Sequence, residues 1–316
     1  MAVYTQVSAE ALAEFLSRYD HGHLRSAKGI AEGVQNSNYL VDTDRERFIL
    51  TLYEERTETR DLPFFLAMLD HLAADGNPVP RALPDRTGVA VQMLAGRPAC
   101  LIEFLDGVSV SHPTAGQAHA AGAALGDLHT SLATFGQTRR NPLGIGDWPA
   151  MLARCGRDMD AIAPGMFDRV ERALASVVGA WPSDLPVAAI HSDLFPDNVL
   201  MLGDTVTGVI DFYFACTDIR AYDLAVIHTS WCFDGAGRNY DPAIGQALID
   251  GYATRFDLSA AERAALPVLA RGACLRFLLT RAWDWLNTPA DALVTRKDPL
   301  AYLRRLETYE TQDVFG

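Results

Sequence analysis

The sequence predicts an α+β protein of two lobes: a small β-rich N-terminal lobe over residues 1–104 and a larger, mainly helical C-terminal lobe over 105–316. Three observations point there. Short β-branched and aromatic runs dominate the early chain, long Ala/Leu-rich segments take over after Gly107, and the later β-like runs flank one polar, Asp-rich loop. A length of 316 residues suits one large domain or two moderate ones.

Each element has its own signal. Ser8 to Tyr19 reads as an amphipathic helix, with Ser8 as its cap and Leu12, Phe15, Leu16 and Tyr19 on one face. Tyr39 to Val41 and Arg47 to Tyr53 read as strands, separated by the turn formers Asp42, Thr43 and Asp44. A helix from Leu62 to Ala74 stops before Gly76-Asn77-Pro78. Strands follow at Val89 to Met93 and Ala99 to Phe104, turned by Gly96-Arg97-Pro98. The C-terminal lobe opens with helices at His112 to Thr134, Asp147 to Asp160 and Met166 to Val178. The apolar runs Val187 to Ile190 and Val206 to Phe212 then interrupt them, and the stretch from Tyr222 to Tyr309 returns to helix. A cleft is expected between the lobes.

Composition narrows the function classes. Hydrophobic residues make up 49% and charged residues 21%, which excludes a disordered chain. The balance of 27 Lys+Arg against 40 Asp+Glu gives −13, so no basic stripe for nucleic acid is expected, whereas one bound nucleotide is compatible. Five scattered cysteines without a C-x-x-C spacing argue against a disulfide scaffold or a zinc site. There is no secretory leader pattern at the N-terminus and no apolar run long enough for a membrane span, so a cytoplasmic protein that meets no membrane is expected.

The informative segment is His191-Ser192-Asp193-Leu194-Phe195-Pro196-Asp197-Asn198, followed by Val199-Leu200-Met201 and, after a turn, Ile210-Asp211-Phe212. As a pattern it is H-x-D-x-x-x-x-N, an apolar strand, a turn, and I-D-F. ATP-dependent phosphoryl transfer explains those residue types. One carboxylate, Asp193, would orient the acceptor hydroxyl and take its proton. Asn198 and Asp211 would hold the metal ions that bridge the phosphates, brought side by side by a hairpin. His191 would tie the loop down rather than exchange protons. A plain Asp/Pro-rich surface loop is the competing reading, and a lone H-x-D would not exclude it; the ordered set with Asn198 and Asp211 argues against it. A metal-hydrolase reading would need a second cluster of histidine ligands, and the other histidines, His21 and His23 included, offer none.

This loop resembles that of the aminoglycoside-phosphotransferase and choline-kinase family of small-molecule kinases. Leu125-Gly126-Asp127-Leu128-His129 is similar to the L-G-x-L-H helix ahead of that family's catalytic loop. Tyr222-Asp223-Leu224-Ala225 is similar to its D-L-A motif, where the Asp, here Asp223, supports the loop. Within the family the chain is similar, over nearly its whole length, to bacterial homoserine kinases of the phosphotransferase type. The segments KGIAEGVQNSNYLV, HSDLFPDNVLM, IDFYFAC and LRFLLTRAWDWLNTPADALVTRKDP carry that likeness. The resemblance implies a two-lobed protein-kinase-like fold, ATP and Mg2+ as cofactors, and phosphorylation of the side-chain hydroxyl of L-homoserine to O-phospho-L-homoserine for threonine synthesis.

The nucleotide site is expected at Gly29 to Tyr39, where glycine permits close backbone approach and small polar residues offer donors; Gly33, Ser37 and Asn38 are the candidates. An ordinary hairpin turn is the alternative there. Glu103 to Leu105, with both end residues as candidates, should form the hinge that meets adenine. The family's basic residue in the third strand is replaced by Thr51, and Leu62 to Ala74 carries no glutamate to pair with it. Lys28 is the candidate substitute cation, ahead of Arg56 or Arg60.

For the acceptor, a carboxylate calls for a guanidinium and an ammonium for an acid. Arg281 and Asp284, one helical turn apart, fit that demand, although a solvated intrahelical pair would look the same. Tyr213, Asp218 and Trp231 are further candidates because they follow Asp211. The rival functions are the same reaction on another hydroxyl acceptor (choline, methylthioribose or an aminoglycoside) and a kinase-like nucleotide-binding protein without catalysis. Oligomeric state is not readable from the chain.

Overall fold

The structure is a computed structural model and describes residues 5–30, 36–54, 58–288 and 296–315. The chain divides into two compact units, Met1–Asp106 and Gly107–Gly316, two residues beyond the boundary expected from sequence.

The first unit contains α1 (Ala9–Leu16), β1 (Leu24–Ile30), β2 (Ser37–Thr43), β3 (Arg47–Leu52), α2 (Leu62–Ala74), β4 (Ala82–Leu83), β5 (Gln92–Leu94) and β6 (Arg97–Glu103). The strands form one antiparallel sheet in the order β1-β2-β3-β6-β4, with β5 also on β6. β1 was not separable in the sequence: LRSAKGI is polar and lies at the sheet edge, exposed along most of its length, so no alternation marks it. The strand expected over 89–93 is shorter and shifted, because Thr87, Val89 and Gln92 bond the Asp85 side chain in a turn first.

Period-two alternation gives the sheet two distinct faces. Tyr39, Val41, Phe48, Leu50, Leu52 and Leu101 pack with Leu12, Phe15 and Leu16 of α1, whose cap is the Ser8 hydroxyl accepting from Ala11 N–H. The opposite face carries Asn38, Leu40, Ile49 and Thr51. The β1 register sets Lys28 beside Leu40 and Ile30 beside Asn38, so Lys28 belongs to that same face.

The second unit holds α3 (Ala115–Leu132), α4 (Trp148–Cys155), α5 (Met166–Ala180), β7 (Val187–Ile190), β8 (Val199–Leu202), β9 (Thr205–Val209), β10 (Cys216–Ile219), α6 (Arg220–Trp231), α7 (Pro242–Ala253), α8 (Ala260–Asn287) and α9 (Leu300–Thr311). Capping boxes start α3 at Thr114/Gln117 and α8 at Ser259/Glu262. β8 and β9 form an antiparallel hairpin, and β7 pairs antiparallel with β10. α3 and α7 approach very closely through glycine: a Cβ on Gly122 would strike the Leu248 carbonyl oxygen, and one on Gly251 the His119 carbonyl oxygen. No helix among the described residues is long and apolar enough to cross a membrane.

Candidate active site

The candidate catalytic segment begins where β7 ends and closes where the β8–β9 hairpin returns. Val199 lies opposite Val209, and the Ile210 N–H donates to the Asn198 carbonyl at 3.0 Å, so Asn198 and Asp211 sit at the same end of the hairpin. Two non-glycine residues here are left-handed, Ser192 (φ 67°) and Asp211 (φ 65°). Such a conformation costs a β-substituted residue on the order of 1 kcal/mol and needs surrounding contacts to hold it.

For Ser192 those contacts converge on Asp223 of α6. Its carboxylate accepts the His191 N–H at 2.8 Å and the Ser192 N–H at 2.7 Å, and lies 3.2 Å from His129 Nε2. His129 Nδ1 in turn meets the Tyr252 hydroxyl at 2.8 Å. Asp223 and His129 are both fully buried. Burial alone would push the Asp223 carboxyl up, but the His129 hydrogen bond and neighbouring donors win, and it is held below the ordinary carboxylate value. The close α3–α7 approach through Gly122 and Gly251 sets His129 and Tyr252 at that distance.

His191 is a fixed post. Its Nδ1 accepts the Asp193 N–H at 3.2 Å and its Nε2 faces the Ile210 carbonyl at 3.0 Å, which assigns the proton to Nε2. Burial holds its pKa below the ordinary histidine value, so it stays neutral and structural.

Asp193 carries the half-buried carboxylate at the head of the loop. Its backbone carbonyl accepts from Asn198 Nδ2 at 2.8 Å and from the Phe195 N–H at 2.8 Å. Burial pushes its carboxyl up to about 7, against the pull of Arg276 and with a further push from Asp211. Asp211 is raised to about 6, first by burial and then by Asp197. Acids crowded in this way are suited to a hard cation. Asn198 spends its amide N–H on Asp193 and so turns its oxygen, the donor a cation needs, away from that bond. Asn198 and Asp211 therefore fit the demands of a divalent metal.

The sequence reading missed Arg276 of α8 as a site residue. It is 1% exposed, donates to the Ser192 carbonyl and, at 3.0 Å, to the Ser192 hydroxyl, and lies 3.8 Å from Asp193 Oδ1. Phe214 and Phe277 cover the guanidinium. The only available signal was a charged residue inside an otherwise apolar helical stretch. His129 and Tyr252 were missed as members of the Asp223 network for the same reason: each is remote in sequence.

The remaining candidates divide. Trp231 is buried and its Nε1–H donates to the Leu194 carbonyl at 3.1 Å, so it braces the catalytic loop instead of facing an acceptor. The Asp218 carboxylate is committed to Asn141 at 2.6 Å and to the Ile219 N–H at 2.7 Å, because β10 pairs with β7 and turns it there. Tyr213 gives its backbone N–H to Asp211 and lies outside the recess that Arg281 lines. Asp284 is exposed and also outside that recess, since α8 leaves the packed interior near its C-terminal end. In the first unit, alternation sends Ser37 and Asn38 to opposite faces. Ser37 is buried and donates to Glu54 at 2.6 Å, so its hydroxyl is not a phosphate donor. Asn38 accepts from the Thr51 hydroxyl at 2.8 Å through its oxygen, which leaves its amide N–H groups as donors. Glu103 is engaged by Arg81 through backbone and guanidinium, at 3.0 and 2.7 Å, and Leu105 lines a recess with it. Lys28 is exposed. Gly33 and Arg56 lie outside the described residues.

Comparison with known proteins agrees with this geometry. Residues 26–265 match the phosphotransferase enzyme family. A homoserine kinase of Zymomonas mobilis subsp. mobilis is 53% identical over 311 residues, covering 98% of this chain and 97% of that protein. One of Gluconacetobacter diazotrophicus is 52% identical over 308 residues, covering 97% and 96%. An amicoumacin kinase solved in complex with AMP-PNP, Ca2+ and Ami superposes with a TM-score of 0.73 at 14% identity, covering 96% of this chain and 94% of that one; it shows the shared fold. Matched by the family model over residues 26–265 and by homoserine kinases nearly end to end, the chain belongs to the phosphotransferase enzyme family, in its homoserine-kinase branch.

Proposed function

We propose that the protein transfers the γ-phosphoryl group of ATP to the side-chain hydroxyl of L-homoserine, giving O-phospho-L-homoserine and ADP. Identity above one half over nearly the full length of homoserine kinases supports the acceptor. The observation that carries the chemistry is the Asp193 carboxylate, half-buried beside Arg276 on a loop whose backbone is pinned by Asp223.

Phosphoryl transfer asks a protein mainly for positioning and charge stabilisation. Asp193 accepts a hydrogen bond from the acceptor hydroxyl, aims its oxygen at the γ-phosphorus, and takes the proton as the new O–P bond forms and the bond to ADP breaks. An elevated carboxyl pKa makes Asp193 a stronger base than a solvated aspartate. Asn198 and Asp211 would hold Mg2+, which when bound neutralises phosphate charge and orients the transferring group. Asp223 and Arg276 do not touch the reacting atoms; they fix the left-handed Ser192, and with it the direction in which Asp193 points. Asn38 and Lys28, sharing a sheet face, are proposed to meet the phosphates in place of the family's strand lysine.

ADP release with Mg-ATP against L-homoserine, L-serine, choline, methylthioribose and kanamycin tests this reading. Turnover confined to homoserine is expected. Turnover with another acceptor would keep the chemistry and discard the substrate, and ATP binding without turnover on any of them would discard both.

A further inference from the structure

Beside the catalytic loop, wholly within the second unit, lies a recess of about 270 Å3 whose lining includes Phe195, Asp197, Ser230, Phe233, Arg281 and Arg305. Its charge runs against the chain as a whole. The protein carries −13, yet the described lining holds two guanidiniums and one carboxylate. The two arginines come from different helices, α8 and α9, and meet on one ring: each guanidinium carbon lies 4.5 Å from the centroid of Tyr302. Stacking of this kind fixes the planar fork without consuming its hydrogen-bond donors.

Those donors are largely unspent. Arg305 is 4% exposed and gives one N–H to the Asp234 carbonyl at 3.0 Å, while its buried Nε finds no partner among the described residues. Arg281 gives one N–H to the Asp298 carbonyl at 3.3 Å. Neither is ion-paired with a described carboxylate: the Asp298 side chain lies with Arg304 and that of Asp197 with Lys297. A guanidinium has five N–H donors, and two like charges lining one recess favour an anion there. Burial already draws the Arg281 guanidinium below its ordinary pKa, with Arg305 pulling the same way.

We propose that Arg281 and Arg305 form the carboxylate subsite of the acceptor, a paired-guanidinium clamp that restricts the reaction to hydroxyl compounds bearing an α-carboxylate. This rests on the amino-acid acceptor proposed above. Position supports it. Phe195, which lines the recess, bonds the Asp193 backbone carbonyl, and Arg281 lies within electrostatic range of the Asp193 carboxylate. Homoserine carries its carboxylate and its hydroxyl on one three-carbon chain, so a carboxylate held in the recess keeps the hydroxyl close to the loop that lines it. Size agrees as well: a recess of about 270 Å3 has room for an amino acid. A quaternary amine would meet two like charges.

The test compares L-homoserine with L-homoserinamide, nearly the same in shape but without the negative charge, in steady-state turnover by the wild type, Arg281→Met, Arg305→Met and Arg305→Lys. The wild type is expected to favour homoserine by at least 100-fold in kcat/KM. Each Met variant should raise the homoserine KM by about 30-fold or more, with a loss at least tenfold smaller on homoserinamide and the KM for ATP little moved; Arg305→Lys should recover part of the loss. Equal losses on both acceptors, or an unmoved homoserine KM, would overturn the clamp. Should the Met variants fail to fold, the wild-type ratio decides alone, and equal use of acid and amide overturns the proposal. A wild type inactive on homoserine would instead defeat the substrate reading, which separates the two failures.

Discussion

The guanidinium of Arg276 reaches across from α8 to the Ser192 hydroxyl at 3.0 Å, and Ser192 is the left-handed residue immediately before Asp193. A helix more than eighty residues downstream thus holds the backbone that aims the carboxylate proposed as the base. A charge-assisted bond of this kind contributes about 1.5–3 kcal/mol. Arg276→Met is expected to lower kcat about 10- to 100-fold while the KM for ATP changes little, and Arg276→Lys to recover part of the loss. Steady-state kinetics on the three proteins checks this; a kcat within twofold of wild type for the Met variant would contradict a positioning role.

Lys28 shares a sheet face with Asn38 and with Thr51, the position at which the resemblance to small-molecule kinases implies a strand cation. Lys28→Ala should raise the KM for ATP about tenfold or more, the loss of one charged contact to phosphate, with kcat much less affected. An unchanged KM for ATP would remove Lys28 from the nucleotide site.

Acid should weaken the fold through His228. It is fully buried among the rings of Tyr240, Tyr309 and Phe315, with Nδ1 2.5 Å from the Tyr309 hydroxyl and Nε2 unpartnered among the described residues. Burial lowers its pKa from 6.5 to about 3. Between those values the unfolded chain binds a proton that the folded one refuses, so stability falls as pH drops below 6.5 and levels off near 3. The His228 share of that loss is about 2 kcal/mol by pH 5. Urea denaturation at pH 7.5 and 5 should show His228→Gln losing correspondingly less than wild type between the two. Equal losses would contradict the assignment.

Gly251 meets the backbone of α3. Gly251→Ala forces the two helices apart at a cost of about 1–3 kcal/mol, and the displacement should reach the Tyr252–His129–Asp223 chain. A lowered Tm accompanied by a lowered kcat is expected from thermal melts and kinetics on the same preparation; a lowered Tm with unaltered kcat would uncouple the helix pair from the loop.

The parts of this site written within a few residues of one another were legible before the structure. His191 through Asn198, Asp211 and Asp223 form short patterns whose chemistry explains their order, and the hairpin that joins Asn198 to Asp211 follows from two apolar runs and a turn. What could not be read depends on distance or on direction. Arg276, His129 and Tyr252 come to the loop through helix packing, which leaves only a polar residue in an apolar stretch as its trace. Trp231 and Asp218 sit near Asp211 in sequence, yet point into the loop's own scaffold. Ser37 and Asn38 are a case where simple alternation separates neighbours that share a composition. Asp284 fails as the acceptor's acid because one helical turn takes α8 from a lined recess to solvent, and burial at a helix end depends on what packs there.

The claim that the rest depends on is that Asp193 accepts the proton from the homoserine hydroxyl. Its most direct test is the turnover of L-homoserine by Asp193→Asn against wild type at saturating Mg-ATP, with ATP affinity measured separately. A loss in kcat of at least about 100-fold is expected, with ATP binding retained. Turnover within a few-fold of wild type would contradict it.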